Sequence, residues 1–179
     1  MMLAQYLAEF SRLDEVWLTL SGQNPVKERD DNVGDADRLA MLRMACAGTP
    51  RIDVCDVELS LPRPSFTYRT LCHLRDLYPR RRFTLLIGAD NWTIFDRWRD
   101  SDRIVSEFPV MIYPRPGYTI DPQTLPTGVT YIGEAPSFDI SSTFLRDAIA
   151  AHRCISHFLP SGVYDYIMQH QLYGNNNRT

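Results

Sequence analysis

The sequence predicts a doubly wound α/β domain, a parallel sheet with helices on both faces, and three observations lead there. Short β-rich runs alternate with helix-patterned runs along most of the chain. One of them, Phe83–Gly88 (FTLLIG), is almost wholly apolar, as expected of a strand covered by helices on both faces. Polar segments able to start helices follow directly on strand ends. One feature sits badly with the class: the chain opens on a helical pattern, whereas this fold ordinarily begins on a strand.

Element by element, Met2–Phe10 (MLAQYLAEF) has its apolar residues at helical spacing. Glu15–Leu20 (EVWLTL) is short and β-rich, a strand. Asp35–Cys46 is a helix with an aspartate at its start. Ile52–Leu59 (IDVCDVEL) alternates and reads as a strand throughout. Thr67–Tyr78 is a helix, and Phe83–Gly88 the buried strand. Phe108–Tyr113 and Val129–Gly133 are further strands, and helices start near Ser142 and, after Pro160, near Ser161. Residues 1–173 are expected to form one Rossmann-like domain, and GNNNRT (174–179) a disordered tail.

The totals bound the function. A chain of 179 residues with 44% hydrophobic and 23% charged residues suits one soluble domain. A net charge of −3 argues against a nucleic-acid or anionic-membrane partner, yet leaves room for a local cationic pocket. No apolar run approaches the ~18 residues of a membrane span. MMLAQYLAEF lacks the parts of a signal peptide, so a cytoplasmic location is expected. Cys46, Cys55, Cys72 and Cys154 form no CxxC and read as reduced packing residues. His152-x-Cys154-x-x-His157 lacks a fourth ligand, so no metal site is expected. Oligomeric state stays open, a homo-oligomer included.

Four segments carry possible chemistry. In Asp139–Arg146 (DISSTFLR), Ser141, Ser142 and Thr143 stand together where one N-cap would suffice, and Arg146 follows one turn in. A helix N-terminus with hydroxyls and a guanidinium can hold phosphate. Capping with surface polarity is the plainer alternative. In Leu85–Asp100, a strand ends at Gly88, followed by Asp90, Asn91 and the aromatics Trp92, Phe95 and Trp98. Glycine admits a ligand to the backbone, Asp90 can accept from ribose hydroxyls, and the rings can stack. Equally, Asp90 could cap a helix and the rings fill a core. In Pro62–Leu71 (PRPSFTYRTL), a stiff loop leads into a helix that Ser65 or Thr67 can start, with Phe66 as an aromatic wall. Ser21–Asp30 (SGQNPVKERD) is a loop carrying Lys27, which on its own is a solvated lysine.

These segments, in this order, resemble the bacterial nicotinate-nucleotide adenylyltransferases of the nucleotidyltransferase superfamily. The matching pieces are SGQNPVK, PSFTYRTL, LIGADNWTIFDRW and ISSTFLR, with RLAMLRMA and LPSGVYDYI in support. ISSTFLR alone marks only the superfamily, while the other pieces narrow it to this branch. The resemblance implies transfer of AMP from ATP to nicotinate mononucleotide, with Mg²⁺ on the phosphates. It implies that Ile140, Ser142, Thr143 and Arg146 meet ATP, the last three at its phosphates. Gly88 and Asp90 would lie beside a nucleotide ribose. Phe66 and Trp98 would sandwich the pyridine ring, backbone N–H groups near Thr67 and Arg99 would take its carboxylate, and Lys27 would sit near the phosphates. Many relatives carry an aromatic where this chain has Arg99.

The chain departs from the pattern in one place. The resemblance implies a first strand and a GxFxPxHxGH loop whose histidines face ATP, and His73, His152, His157 and His170 stand in no such motif. An interrupted sheet with unpaired strand edges and impaired turnover are therefore expected. A start placed too late, a sequence cut short or a naturally truncated paralogue would each account for it. Two rivals stand beside the main reading: adenylyl transfer to another phosphorylated acceptor such as phosphopantetheine, and a non-catalytic nucleotide-binding protein.

Overall fold

In chain order the elements are α1 (Met2–Phe10), β1 (Val16–Thr19), α2 (Asp35–Cys46), β2 (Ile52–Cys55), α3 (Thr67–Leu77), β3 (Leu85–Gly88), α4 (Ala89–Trp92), α5 (Ser101–Glu107), β4 (Val110–Tyr113), β5 (Val129–Tyr131), α6 (Ser142–Ala150) and α7 (Val163–Gln169). They belong to a computed structural model that describes residues 1–21, 33–137 and 139–174. Three-residue 3₁₀ turns and the four-residue α4 turn apart, this is strand–helix alternation with parallel sheets flanked by helices, the α/β class that the sequence predicts.

The chain divides into two units. The first combines residues 1–63 with 140–179, and the second is residues 64–139. In the first, β1 and β2 pair in parallel, Val16 opposite Ile52 and Thr19 opposite Cys55, with α2 in the crossover between them. The α1 helix buries Ala4, Leu7 and Ala8, the i, i+3, i+4 stripe of an amphipathic helix. It stops where Ser11 turns extended (φ −106°, ψ −179°), and the Ser11 hydroxyl donates to the terminal Leu7 carbonyl at 2.5 Å. Ile149 of α6 packs with Ile155, Val163 and Ile167 around α7, against Met41 and Ala45 of α2. The Tyr166 hydroxyl ties α7 to α2 by donating to Asp37 at 2.8 Å.

In the second unit β3, β4 and β5 lie side by side and parallel, Leu85 opposite Val110 and Val110 opposite Val129. The core gathers on β4, where Val110 and Ile112 are fully buried with Ile104 of α5 and packed by Ile87, Phe95, Phe108 and Leu71. Each large apolar side chain so buried contributes about 1.5–3 kcal/mol. Helix α3 is tied to α5 at Glu107, which accepts from the Tyr68 hydroxyl at 2.7 Å and from Arg75 at 3.0 Å. Arg103 lies 4.2 Å over the Tyr68 ring. The Tyr68 hydroxyl, and after it the Arg75 guanidinium, hold the Glu107 carboxyl below the usual glutamate range.

Among the described residues the strands form two sheets, β1-β2 in the first unit and β3-β4-β5 in the second, and each sheet ends in strands paired on one side only. Other differences from the sequence reading are local. The strand predicted over 52–59 ends at Cys55, because Asp56 leaves extended backbone (φ −102°, ψ 11°) and Val57–Leu59 closes a 3₁₀ turn that buries Glu58. Helix α5 was not predicted: it is seven residues long, starts from left-handed Asp100 (φ 60°), and fully buries only Ile104. The last helix starts at Val163 rather than Ser161, because Gly162 takes a left-handed conformation (φ 78°) ahead of it.

Candidate active site

In a parallel α/β sheet the carboxyl ends of the strands are where ligands bind, and Gly88, the last residue of β3, stands at such an end. Gly88, Asp90, Phe66, Thr67, Trp98 and Arg99 belong to the second unit, and Ile140, Ser142, Thr143 and Arg146 to the first. Lys27 lies outside the described residues.

In the second unit the N-terminus of α3 is open. Its first-turn N–H groups at Thr67, Tyr68 and Arg69 have no intrahelical partners, as at any helix start, and the N-cap residue Phe66 offers them no side-chain acceptor. Ser65, just ahead, is 7% exposed, and its hydroxyl has no hydrogen-bond partner among the described residues. The Arg99 guanidinium lies 4.7 Å over the Phe66 ring, within cation–π range. An anion at this helix start would meet backbone donors, a buried hydroxyl and a guanidinium. Trp98 is half-buried and stacks at a tilt on Phe95, 5.3 Å between centroids, while Phe95 stacks on Trp92 at 5.0 Å. Phe95 is the core residue of the three, 5% exposed, and supports Trp98 from behind. The ring contact of Phe66 is with Arg99 rather than with Trp98.

Gly88 ends β3 and Asp90 lies in the α4 turn after it. One carboxylate oxygen of Asp90, Oδ1, is sealed from solvent without a hydrogen bond among the described residues, 3.6 Å from Nε of Arg115. Tyr113 closes the same recess, and burial pushes its phenol up from the ordinary tyrosine range. Sequence reasoning missed Tyr113 and Arg115, and took Ser65 only as a possible helix start. The available signal for Arg115 was its place two residues past the end of β4, the same strand edge that singled out Asp90 after β3.

In the first unit the three hydroxyls separate into roles. Ser141 is the cap, its Oγ accepting from the Phe144 N–H at 3.0 Å. Ser142 and Thr143 occupy the first turn of α6 and are exposed, with Arg146 half-buried one turn in. Ile140, half-buried, leads into the cap, and Phe144 stands exposed, edge-on to Phe158 at 5.9 Å. Only one hydroxyl is consumed by capping, so two hydroxyls and the free first-turn N–H groups remain for an anion.

The fold, together with the family model for cytidylyltransferase-like proteins that matches residues 1–148, defines the class as nucleotidyltransferase. A Bacteroides fragilis protein named "probable nicotinate-nucleotide adenylyltransferase" is 48% identical over 93% of this chain and 83% of its own length. A Bacteroides thetaiotaomicron protein of the same name is 43% identical over 94% of this chain and 83% of its own. The chain belongs to the nicotinate-nucleotide adenylyltransferase family. The solved structure of Plasmodium falciparum nicotinic acid mononucleotide adenylyltransferase complexed with NaAD superposes with a TM-score of 0.76, covering 96% of this chain and 88% of that one. At 18% identity that likeness is one of fold.

Proposed function

We propose that this chain transfers the adenylyl group of ATP to nicotinate mononucleotide, giving nicotinate adenine dinucleotide and pyrophosphate, in NAD biosynthesis. The observation that carries the reading is identity of 48% along nearly the whole chain to a protein of that name. The open start of α3, with Phe66, Arg99 and the buried Ser65 hydroxyl, supports it, because nicotinate presents a flat ring bearing a carboxylate.

The 5′-phosphate of nicotinate mononucleotide attacks the α-phosphorus of ATP in line. One P–O bond forms, the bond to the β-phosphate oxygen breaks, and pyrophosphate leaves. Such a transfer needs positioning and charge stabilisation more than a protein nucleophile or base. Ser142, Thr143, Arg146 and the first-turn N–H groups of α6, approached through Ile140, hold ATP phosphates. Gly88 and Asp90 flank a ribose. Trp98 and Phe66 bound the pyridine ring, and N–H groups at Thr67 and Arg99 take its carboxylate. Lys27 joins the phosphates. Mg²⁺ would come with ATP, held mainly by the phosphates that Ser142, Thr143 and Arg146 bind, and would supply charge neutralisation there. Residues 1–173 work as one functional domain, in the cytoplasm, and no helix among the described residues is long and apolar enough to cross a membrane.

The test is pyrophosphate release from ATP by the purified protein with nicotinate mononucleotide, nicotinamide mononucleotide or phosphopantetheine as acceptor. Turnover that prefers nicotinate mononucleotide supports the reading. Preference for phosphopantetheine would replace the acceptor, and nucleotide binding without turnover on any acceptor would make the chain a non-catalytic binder.

A further inference from the structure

Gly88 and Tyr113 are register partners at the ends of β3 and β4. Asp90 and Arg115 each follow their strand end by two residues, so equal offsets from a paired register bring a carboxylate and a guanidinium together at the carboxyl edge of the sheet. Their approach is unusual. Arg115 Nε lies 3.6 Å from Asp90 Oδ1, close enough for an ion pair and too far for a hydrogen bond. Oδ1 is the sealed atom, with no hydrogen-bond partner among the described residues, although the Asp90 side chain as a whole is 31% exposed. The exposure therefore falls on its remaining atoms.

Room for Oδ1 comes from Gly88. A Cβ built there would stand 2.2 Å from Oδ1, 3.0 Å from Cγ of Arg115 and 3.2 Å from Cζ of Tyr113. The Gly88 backbone, at φ −74° and ψ 156°, is one that any residue adopts, so glycine is needed for space and not for conformation. A carboxylate oxygen buried without a hydrogen bond is a local cost, of the kind that proteins keep where a ligand needs the group aimed.

We propose that Arg115 is a positioning residue for nucleotide binding: it draws Oδ1 of Asp90 into the recess over Gly88 and so turns Oδ2 outward, to accept a hydrogen bond from a ribose hydroxyl of a substrate nucleotide. The inference rests on the proposed adenylyl transfer only in that both substrates are ribonucleotides. A cation that simply attracted phosphate would favour ribonucleotides and deoxyribonucleotides alike, whereas a residue that aims Asp90 acts only through the hydroxyl.

The experiment is calorimetric titration of the wild-type protein, Arg115→Gln, Arg115→Lys and Asp90→Asn with ATP, nicotinate mononucleotide and the 2′-deoxy and 3′-deoxy forms of each. In the wild type, at least one ribonucleotide should bind about tenfold or more tightly than its deoxy form, the scale of a hydrogen bond to a charged group. Arg115→Gln and Asp90→Asn should both erase that preference while leaving deoxynucleotide affinity within about twofold of the wild type. Arg115→Lys should restore part of it. The arm that shows the preference identifies whose ribose is held. Equal weakening of ribo and deoxy ligands by Arg115→Gln, an intact preference in that variant, or no preference in the wild type with either nucleotide would each overturn the proposal. Failure of nicotinate mononucleotide alone to bind would count against the acceptor proposed above, and the role of Arg115 would then be decided on the ATP arm.

Discussion

Replacing Gly88 by alanine separates the space that this position provides from the backbone freedom that glycine brings. The new methyl would begin 2.2 Å from Asp90 Oδ1, where real Cβ contacts essentially never occur, and 3.0–3.2 Å from Arg115 and Tyr113. The carboxylate swings away at little cost, while the two larger side chains give by a few tenths of an ångström. Overpacking of this kind costs about 1–3 kcal/mol. At φ −74° the substitution introduces no backbone strain, and the loss of glycine's freedom in the unfolded chain returns about 0.4–1 kcal/mol. The net destabilisation is then about 0–2.5 kcal/mol, which for a chain of this size lowers Tm by at most about 10 °C. Nucleotide binding should weaken as well, by about tenfold or beyond, because the variant expels the oxygen that fixes the carboxylate's orientation. Thermal unfolding and titration with ATP and nicotinate mononucleotide measure the two effects on one preparation. A Gly88→Ala protein with lowered Tm and unchanged affinity for both nucleotides would refute the link between this recess and binding.

Trp98→Ala should raise KM for nicotinate mononucleotide while ATP binding stays close to wild type, since a stacking wall adds about 0.5–1.5 kcal/mol beyond burial; equal loss for both ligands in a folded protein would speak against the ring site. Arg146→Ala should raise KM for ATP or lower kcat by about tenfold or more, and steady-state kinetics that leave both unchanged would reduce the α6 start to a capped helix. Glu107, whose folded pKa is depressed, contributes stability that is fully present above the ordinary glutamate value of 4.5 and is lost as pH falls through its lower folded value. Unfolding midpoints followed downward from pH 7 should therefore drop more steeply in the wild type than in Glu107→Gln, and parallel curves would show that the α3–α5 tie carries no such linkage.

Much of the fold was legible because its signals are local. The Met2–Phe10 helix announces itself through periodicity, the Asp35–Cys46 helix through the aspartate at its start and the Leu85–Gly88 strand through an apolar run, and Ser141 caps α6 where a hydroxyl cluster precedes a helical pattern. What escaped depends on pairing across the sequence. Arg115 becomes interesting only when the Gly88–Tyr113 register sets it beside Asp90, and no periodicity in Arg115's own neighbourhood reports that. Ser65 reads as a helix-start residue, whereas in the structure it is a buried hydroxyl without a partner, which only burial could reveal. The 3₁₀ turn at Val57–Leu59 escaped for another reason, since its apolar positions alternate as they would in a strand. Arg99 on the ring of Phe66 joins residues 33 positions apart and was visible in sequence only as a departure from the family's aromatic.

The division of the chain into residues 64–139 and a remainder drawn from both of its ends bears on synthesis. Residues 64–139 contain every strand and helix of their own core, so that core can close as soon as this stretch has left the ribosome. The other unit cannot. Asp37 is made 129 residues before the Tyr166 that bonds to it, and Met41 and Ala45 emerge long before Ile149, Val163 and Ile167. At about 5–20 residues per second, the apolar side of α2 waits several seconds uncovered. The middle of this stretch is thus free to fold first, while residues 1–63 stay dependent on residues made after position 139.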